Sequence, residues 1–137
     1  MSKILKSLAF AFVACLPMSC TITRSEARSA LVVSAKGVLW ANDLCAKIGR
    51  VLSDTRPKEA LDGLTMCSRV SKMAFTTLEN AELLLEREGA EAAFCAVKTA
   101  VEAIRAMVGF TKDHGAAIPE KIVDVLDVTK LVGAQCQ

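Results

Sequence analysis

Tyrosine is absent from this chain of 137 residues, tryptophan and histidine occur once each, and aromatic side chains make up only 4% of it. Sheet cores lean on aromatic and β-branched side chains to cover their pleated faces, so this shortage argues against a β fold. No C-x-x-C pair, C-x-x-C-H haem attachment, G-x-S-x-G turn or Gly-rich phosphate loop occurs, which removes the usual sequence signatures of zinc, haem, acyl-transfer and nucleotide chemistry. With His114 as the only histidine, any Ser/His/Asp or Cys/His catalysis would have to pass through it. It stands in Lys-Asp-His-Gly with no evident positioned partner, and a general base needs one. Acidic residues are missing from the first 25 positions. Nowhere does an apolar run reach the about 20 residues that span a bilayer.

What is present is aliphatic. Apolar residues make up 53% of the chain, and with so few aromatics the core must consist of Ala, Val, Leu, Ile and Met. Alanine-rich sequence favours helix and close helix packing. At this length the chain supports one domain. Its 17 basic and 15 acidic residues give a small excess that vanishes once Lys3 and Lys6 are set aside. The remainder is neutral and lacks the basic excess on which nucleic-acid binding rests.

Residues 1–20, MSKILKSLAFAFVACLPMSC, start with those two lysines, run apolar from Leu8 to Leu16 and reach the helix-breaking Pro17. This is the form of a secretory signal peptide, leaving 21–137 as a single helical domain. Two ends of the signal are compatible with the residues. Cys20 follows Pro-Met-Ser in a context resembling the lipobox of bacterial lipoproteins, where the cysteine becomes the lipidated first residue. Here Pro17 stands where that motif expects Leu, and Phe-Val-Ala-Cys15 is a second partial match. Alternatively, the small residues Ser25 and Ala27 suit ordinary cleavage after Ala27.

Either end leaves Cys45, Cys67, Cys95 and Cys136. An even number in a small exported domain points to disulfides, and their wide separation disfavours zinc, whose ligands come in close pairs. Thr23-Arg-Ser-Glu26 has the form of a capping box opening a helix to about Leu52. Its apolar stripe is Leu31, Val38, Ala41, Cys45, Ile48 and Leu52. Ser53–Pro57 is a break. A second helix over about 57–88 carries a heptad seam of Ala60, Leu64, Cys67, Ser71, Ala74, Leu78, Ala81 and Leu85, and Gly89 ends it. The third, about 90–112, buries Ala93, Val97, Ala100, Val101, Ile104 and Val108. After a loop at 114–119, Pro119-Glu120 opens a fourth helix reaching about Val132.

Short connections make consecutive helices antiparallel, so the expected fold is an all-α, up-down-up-down four-helix bundle. At about 1.5 Å per residue, Cys45 and Cys67 stand at similar heights from the first turn, and Cys95 and Cys136 from the third. Cys67 and Cys95 are mismatched by about 24 Å, beyond the reach of a bridge. The expected pairs are Cys45–Cys67 and Cys95–Cys136.

Glu79, Glu82 and Glu86 fall on one helical face, with Glu88 and Glu91 around the turn. Acidic groups near a helix C-terminus oppose its dipole; the plainer reading is a solvated face, and since such misfits sometimes mark a site these residues are also candidates for an interface. Lys47, Arg50, Arg56 and Lys58 make a diluted basic counterpart. Trp40, on the face of Val33, Gly37 and Leu44, is expected to pack, and is an interface anchor if exposed. In class the chain resembles small exported disulfide-bonded helical proteins such as plant invertase inhibitors and insect odorant-binding proteins. Their close cysteine pairs are missing, so no residue roles carry over. Periplasmic immunity and superinfection-exclusion proteins share the size and export. The reading is a non-enzymatic, cofactor-free binding protein of the bacterial envelope, periplasmic or lipid-anchored at the outer membrane. Its partner is another envelope protein, with no nucleic acid. The alternative is a carrier, which needs an apolar cavity of several hundred Å³ between helices.

Overall fold

The computed structural model describes residues 22–127. The expected signal segment with Cys20, and Cys136, lie outside the described residues. Within them are four helices and no strand: α1 (Arg24–Thr55), α2 (Pro57–Arg87), α3 (Ala90–Asp113) and α4 (Glu120–Asp127).

Each boundary has a local cause. Thr23 is extended (φ −78°, ψ 158°), and its hydroxyl accepts from the Glu26 backbone N–H at 3.2 Å. This is the first half of the expected capping box. The second half differs: the Glu26 carboxylate accepts from the Thr23 hydroxyl at 3.0 Å instead of reaching back to the backbone. The break expected over Ser53–Pro57 shrinks to Arg56 alone, because the Ser53 hydroxyl bonds the Arg50 carbonyl at 2.7 Å and helical bonding runs on to Thr55. Pro57 disfavours helical geometry only in the residue before it, and its missing N–H costs nothing at a helix start. Between α2 and α3, Gly89 takes φ 115°, a conformation that a Cβ would strain. At the other end of α3 the N–H groups of His114 and Gly115 close onto the Thr111 and Lys112 carbonyls.

The helices form a bundle in which α3 packs on both α1 and α2, while α4 lies against α1 and α3. Val38, Ala41, Cys45, Cys67, Ala74, Leu78, Val97, Val101, Ile104 and Met107 lie in one continuous core. A satellite of Ala27, Leu85 and Ala93 closes one end. The seam of α2 is buried as expected except at Leu64, which lies exposed while Gly63 turns inward in its place. On α1, Leu31 and Ile48 are half-buried, and the fully covered positions include Ala27, Ala30, Ser34 and Gly37.

Small residues set the helix separations. A Cβ on Gly37 would meet Val125 Cγ1 at 2.8 Å and Ile104 Cδ1 at 3.0 Å, and one on Gly49 would meet Leu64 Cδ2 at 2.6 Å. Each glycine thus leaves a notch that an aliphatic side chain of the neighbouring helix fills, which adds dispersion contact in a chain short of aromatics.

The disulfide Cys45–Cys67 joins α1 to α2, with Cα atoms 6.5 Å apart, as the height argument requires. Cys95 is half-buried on α3 and is not a free thiol. The partner expected for it, Cys136, lies outside the described residues.

Candidate functional site

Three arrangements hold the chemistry-bearing residues. The first is the outer face of α2 toward its C-terminal end. Glu79, Glu82 and Glu86 are all exposed there. No ion pair engages any of them among the described residues. One turn after Glu79 and one turn before Glu86 stands Leu83, 49% exposed. Three carboxylates near the negative end of a helix are electrostatically misplaced for the isolated fold, and a large apolar side chain in water is misplaced for a different reason. The heptad reading explains why the sequence did not point to Leu83. Leu84 and Leu85, half-buried and buried, account for the apolar run, and Leu83 is left over once the seam is assigned.

The expected basic counterpart behaves differently. Lys47 pairs with Asp43 at 3.1 Å, and Arg56, at the break between α1 and α2, pairs with Glu59 at 3.4 Å. Arg50 and Lys58 are exposed. Among the described residues, two of the four cations at the α1–α2 turn are thus paired, whereas none of the three carboxylates on the acidic face is.

The second arrangement surrounds Trp40. Its ring is half-buried, packs on the main core, and lies under the Lys121 ammonium at 4.7 Å from the ring centroid. A cation over an indole face is attracted by the ring quadrupole, so this contact helps to seat α4 on α1. Arg105 ties the same helix to α3, donating to the Leu126 carbonyl at 3.5 Å.

The third contains the only histidine. His114 Nδ1 donates to the Phe110 carbonyl at 2.8 Å, and Nε2 lies 3.3 Å from Glu59 Oε2. Its ring sits 4.8 Å from that of Phe110, tilted by 55°. A carbonyl oxygen can only accept, so Nδ1 carries hydrogen. Nε2 then faces the carboxylate favourably only when it too is protonated. The pKa is raised from 6.5, first by the Phe110 bond and then, against partial desolvation, by Glu59, with Arg56 opposing. A histidine held in this way ties the end of α3 to the start of α2. Among the described residues no group of three or more His, Cys, Asp or Glu side chains is placed to hold a metal ion.

No protein-family model, curated protein or solved structure matches the chain.

Proposed function

We propose that this chain is an exported, non-enzymatic binding protein of the bacterial envelope, working by protein–protein contact as an inhibitor, immunity or exclusion factor. The observation that carries this reading is the acidic face of α2. Glu79, Glu82 and Glu86 stand there around an exposed Leu83, with no ion pair among the described residues. Interfaces are commonly organised as an apolar anchor within a polar rim, and complementary charge accelerates encounter and selects the partner. The partner chemistry that fits is a basic surface of another envelope protein, with an apolar recess for Leu83.

Export itself rests on the basic-apolar-Pro pattern of residues 1–20. It is supported by the Cys45–Cys67 disulfide, a bond that persists in oxidising compartments. The location that follows is the periplasm, or the outer membrane through a lipid on Cys20. No helix of the described residues is long and apolar enough to cross a membrane.

The proposed topology is an antiparallel up-down-up-down bundle with a second bridge, Cys95–Cys136. Opposed contacts support it. Passing from Cys45 to Gly49 on α1, the partner on α2 steps back from Cys67 to Leu64. From Glu59 to Gly63 on α2, the partner steps back from His114, the residue that caps α3, to Phe110 on α3. From Gly37 to Trp40 on α1, the partner on α4 steps back from Val125 to Lys121. The alternative function, an apolar-ligand carrier, draws less support. Ile104 and Val125 close over Gly37, and Phe110 over Gly63, so side chains fill space that a cargo would need.

The test is site-specific photocrosslinking from position 83 in intact cells. A discrete adduct with one envelope protein, lost in Glu79→Lys, Glu82→Lys, Glu86→Lys chains, is the expected result. Adducts obtained only from positions such as Val51 or Leu61 would move the surface elsewhere, and saturable binding of an apolar fluorophore would favour the carrier.

A further inference from the structure

The sequence leaves two ends for the export signal, one short of Ile22 and one after Ala27, and the fold distinguishes them. We propose that Ile22–Ala27 belongs to the mature protein, so that processing takes place N-terminal to Ile22. The inference rests on the export reading and concerns where the signal ends.

Four observations within Ile22–Ala27 carry it. Thr23 caps α1, its hydroxyl accepting from the Glu26 N–H and its carbonyl from the Ala27 N–H at 3.0 Å. Ala27 is fully buried, in one cluster with Leu85 of α2 and Ala93 of α3. Ile22 is half-buried and packs on both that cluster and the main core. Glu26 supplies the acidic residue of the first turn, where negative charge is favoured.

Cleavage after Ala27 would undo all four at once. It would remove the cap, expose Leu85 and Ala93, and turn the Arg28 backbone nitrogen into an ammonium group at the positive end of α1. The small residue at position 27 also acquires a second explanation. Read alone, Ser25-Glu-Ala27 looks like a peptidase recognition pattern. In the fold, Ala27 is small because three helices converge on it, while Ser25 is simply an exposed residue of the first turn.

The experiment is intact-mass and N-terminal analysis of the full chain after expression in a bacterium with an outer membrane, on envelope and soluble fractions. A Ser25→Arg variant is analysed in parallel. Ordinary cleavage after Ala27 needs a small residue at position 25, whereas the exposed site tolerates arginine in the fold. The expected result is a first residue at or before Ile22 in both chains, processed to the same extent. An added acyl mass on the Cys20 peptide would identify that processing as lipoprotein maturation. Its absence would identify simple cleavage short of Ile22, and both results support the proposal. A mature chain beginning at Arg28, or processing lost in Ser25→Arg, would overturn it. Met1-containing protein confined to the cytoplasm would overturn the export reading itself, a distinct failure visible in the same spectra.

Discussion

The ring of Phe110 on α3 occupies the place where a side chain on Gly63 of α2 would stand. Several ring atoms lie too close for any Cβ there, so the glycine provides the aromatic ring's socket. Gly63→Ala gains about 1 kcal/mol in helix propensity and loses about 1–3 kcal/mol to overpacking. The net expectation is destabilisation, read as a lower urea midpoint at unchanged slope. Combining it with Phe110→Leu should recover part of the loss, and strictly additive effects in that double-mutant cycle would refute the contact.

His114 predicts a pH dependence with a definite sign. Its folded pKa lies above the ordinary 6.5 because of the Phe110 carbonyl and Glu59. Its contribution is therefore fully present below the unfolded value and is lost as pH rises through the folded one. Unfolding free energy should decline as pH rises from about 6.5 through the raised folded value, a region in which His114 is the only side chain of ordinary pKa near 6.5. His114→Gln should flatten that decline. A slope that survives the substitution would assign it to another group.

Ser34 is fully buried, and its hydroxyl has no hydrogen-bond partner among the described residues. An unsatisfied buried hydroxyl costs about 1–3 kcal/mol. Ser34→Ala, which also raises helix propensity, is expected to stabilise the protein by about 1 kcal/mol or more. Calorimetry showing a lower melting temperature would reveal a partner for that hydroxyl.

Replacing Cys45 and Cys67 together by alanine should cost about 3 kcal/mol, the loop-closure contribution of a bridge spanning 22 residues. Peptide mapping of the oxidised native chain should recover the Cys95 and Cys136 peptides as one disulfide-linked species. A Cys95 peptide joined instead to one from the N-terminal segment would redraw the fourth helix.

Charge reversal at Glu82, which is exposed, should leave the melting temperature within about 2–4 °C, as surface substitutions do. It should nevertheless abolish the crosslink from position 83. Loss of both together would mean that the acidic face serves the fold.

Much of the helical layout is legible in the sequence because helix signals are local. Pro57, Gly89 and Pro119 punctuate the chain, and the period of Ala60, Cys67, Ala74 and Ala81 belongs to one helix face. The first bridge followed from counting residues back from a turn. What the sequence concealed is non-local. Gly63 displaces Leu64 from the seam because of a phenylalanine 47 positions later, and no window over α2 contains that fact. Pairing of Lys47 with Asp43 and of Arg56 with Glu59, which takes up two of the four cations at the basic end, depends on side-chain rotamers that spacing permits but does not impose. Leu83 became visible as a candidate only when its neighbours had been placed in the core.

The Cys45–Cys67 bond encloses the exposed α1–α2 turn in a covalent ring. Peptide bonds between Ser53 and Lys58 lie inside that ring, so a protease that cuts there severs the backbone without dividing the molecule. Each cut end keeps its helix, and each helix keeps its partner through sulfur. The turn is thereby the one junction between α1 and α2 where hydrolysis leaves connectivity intact, and nicked and whole chains would differ by one water in mass until a reductant separates them.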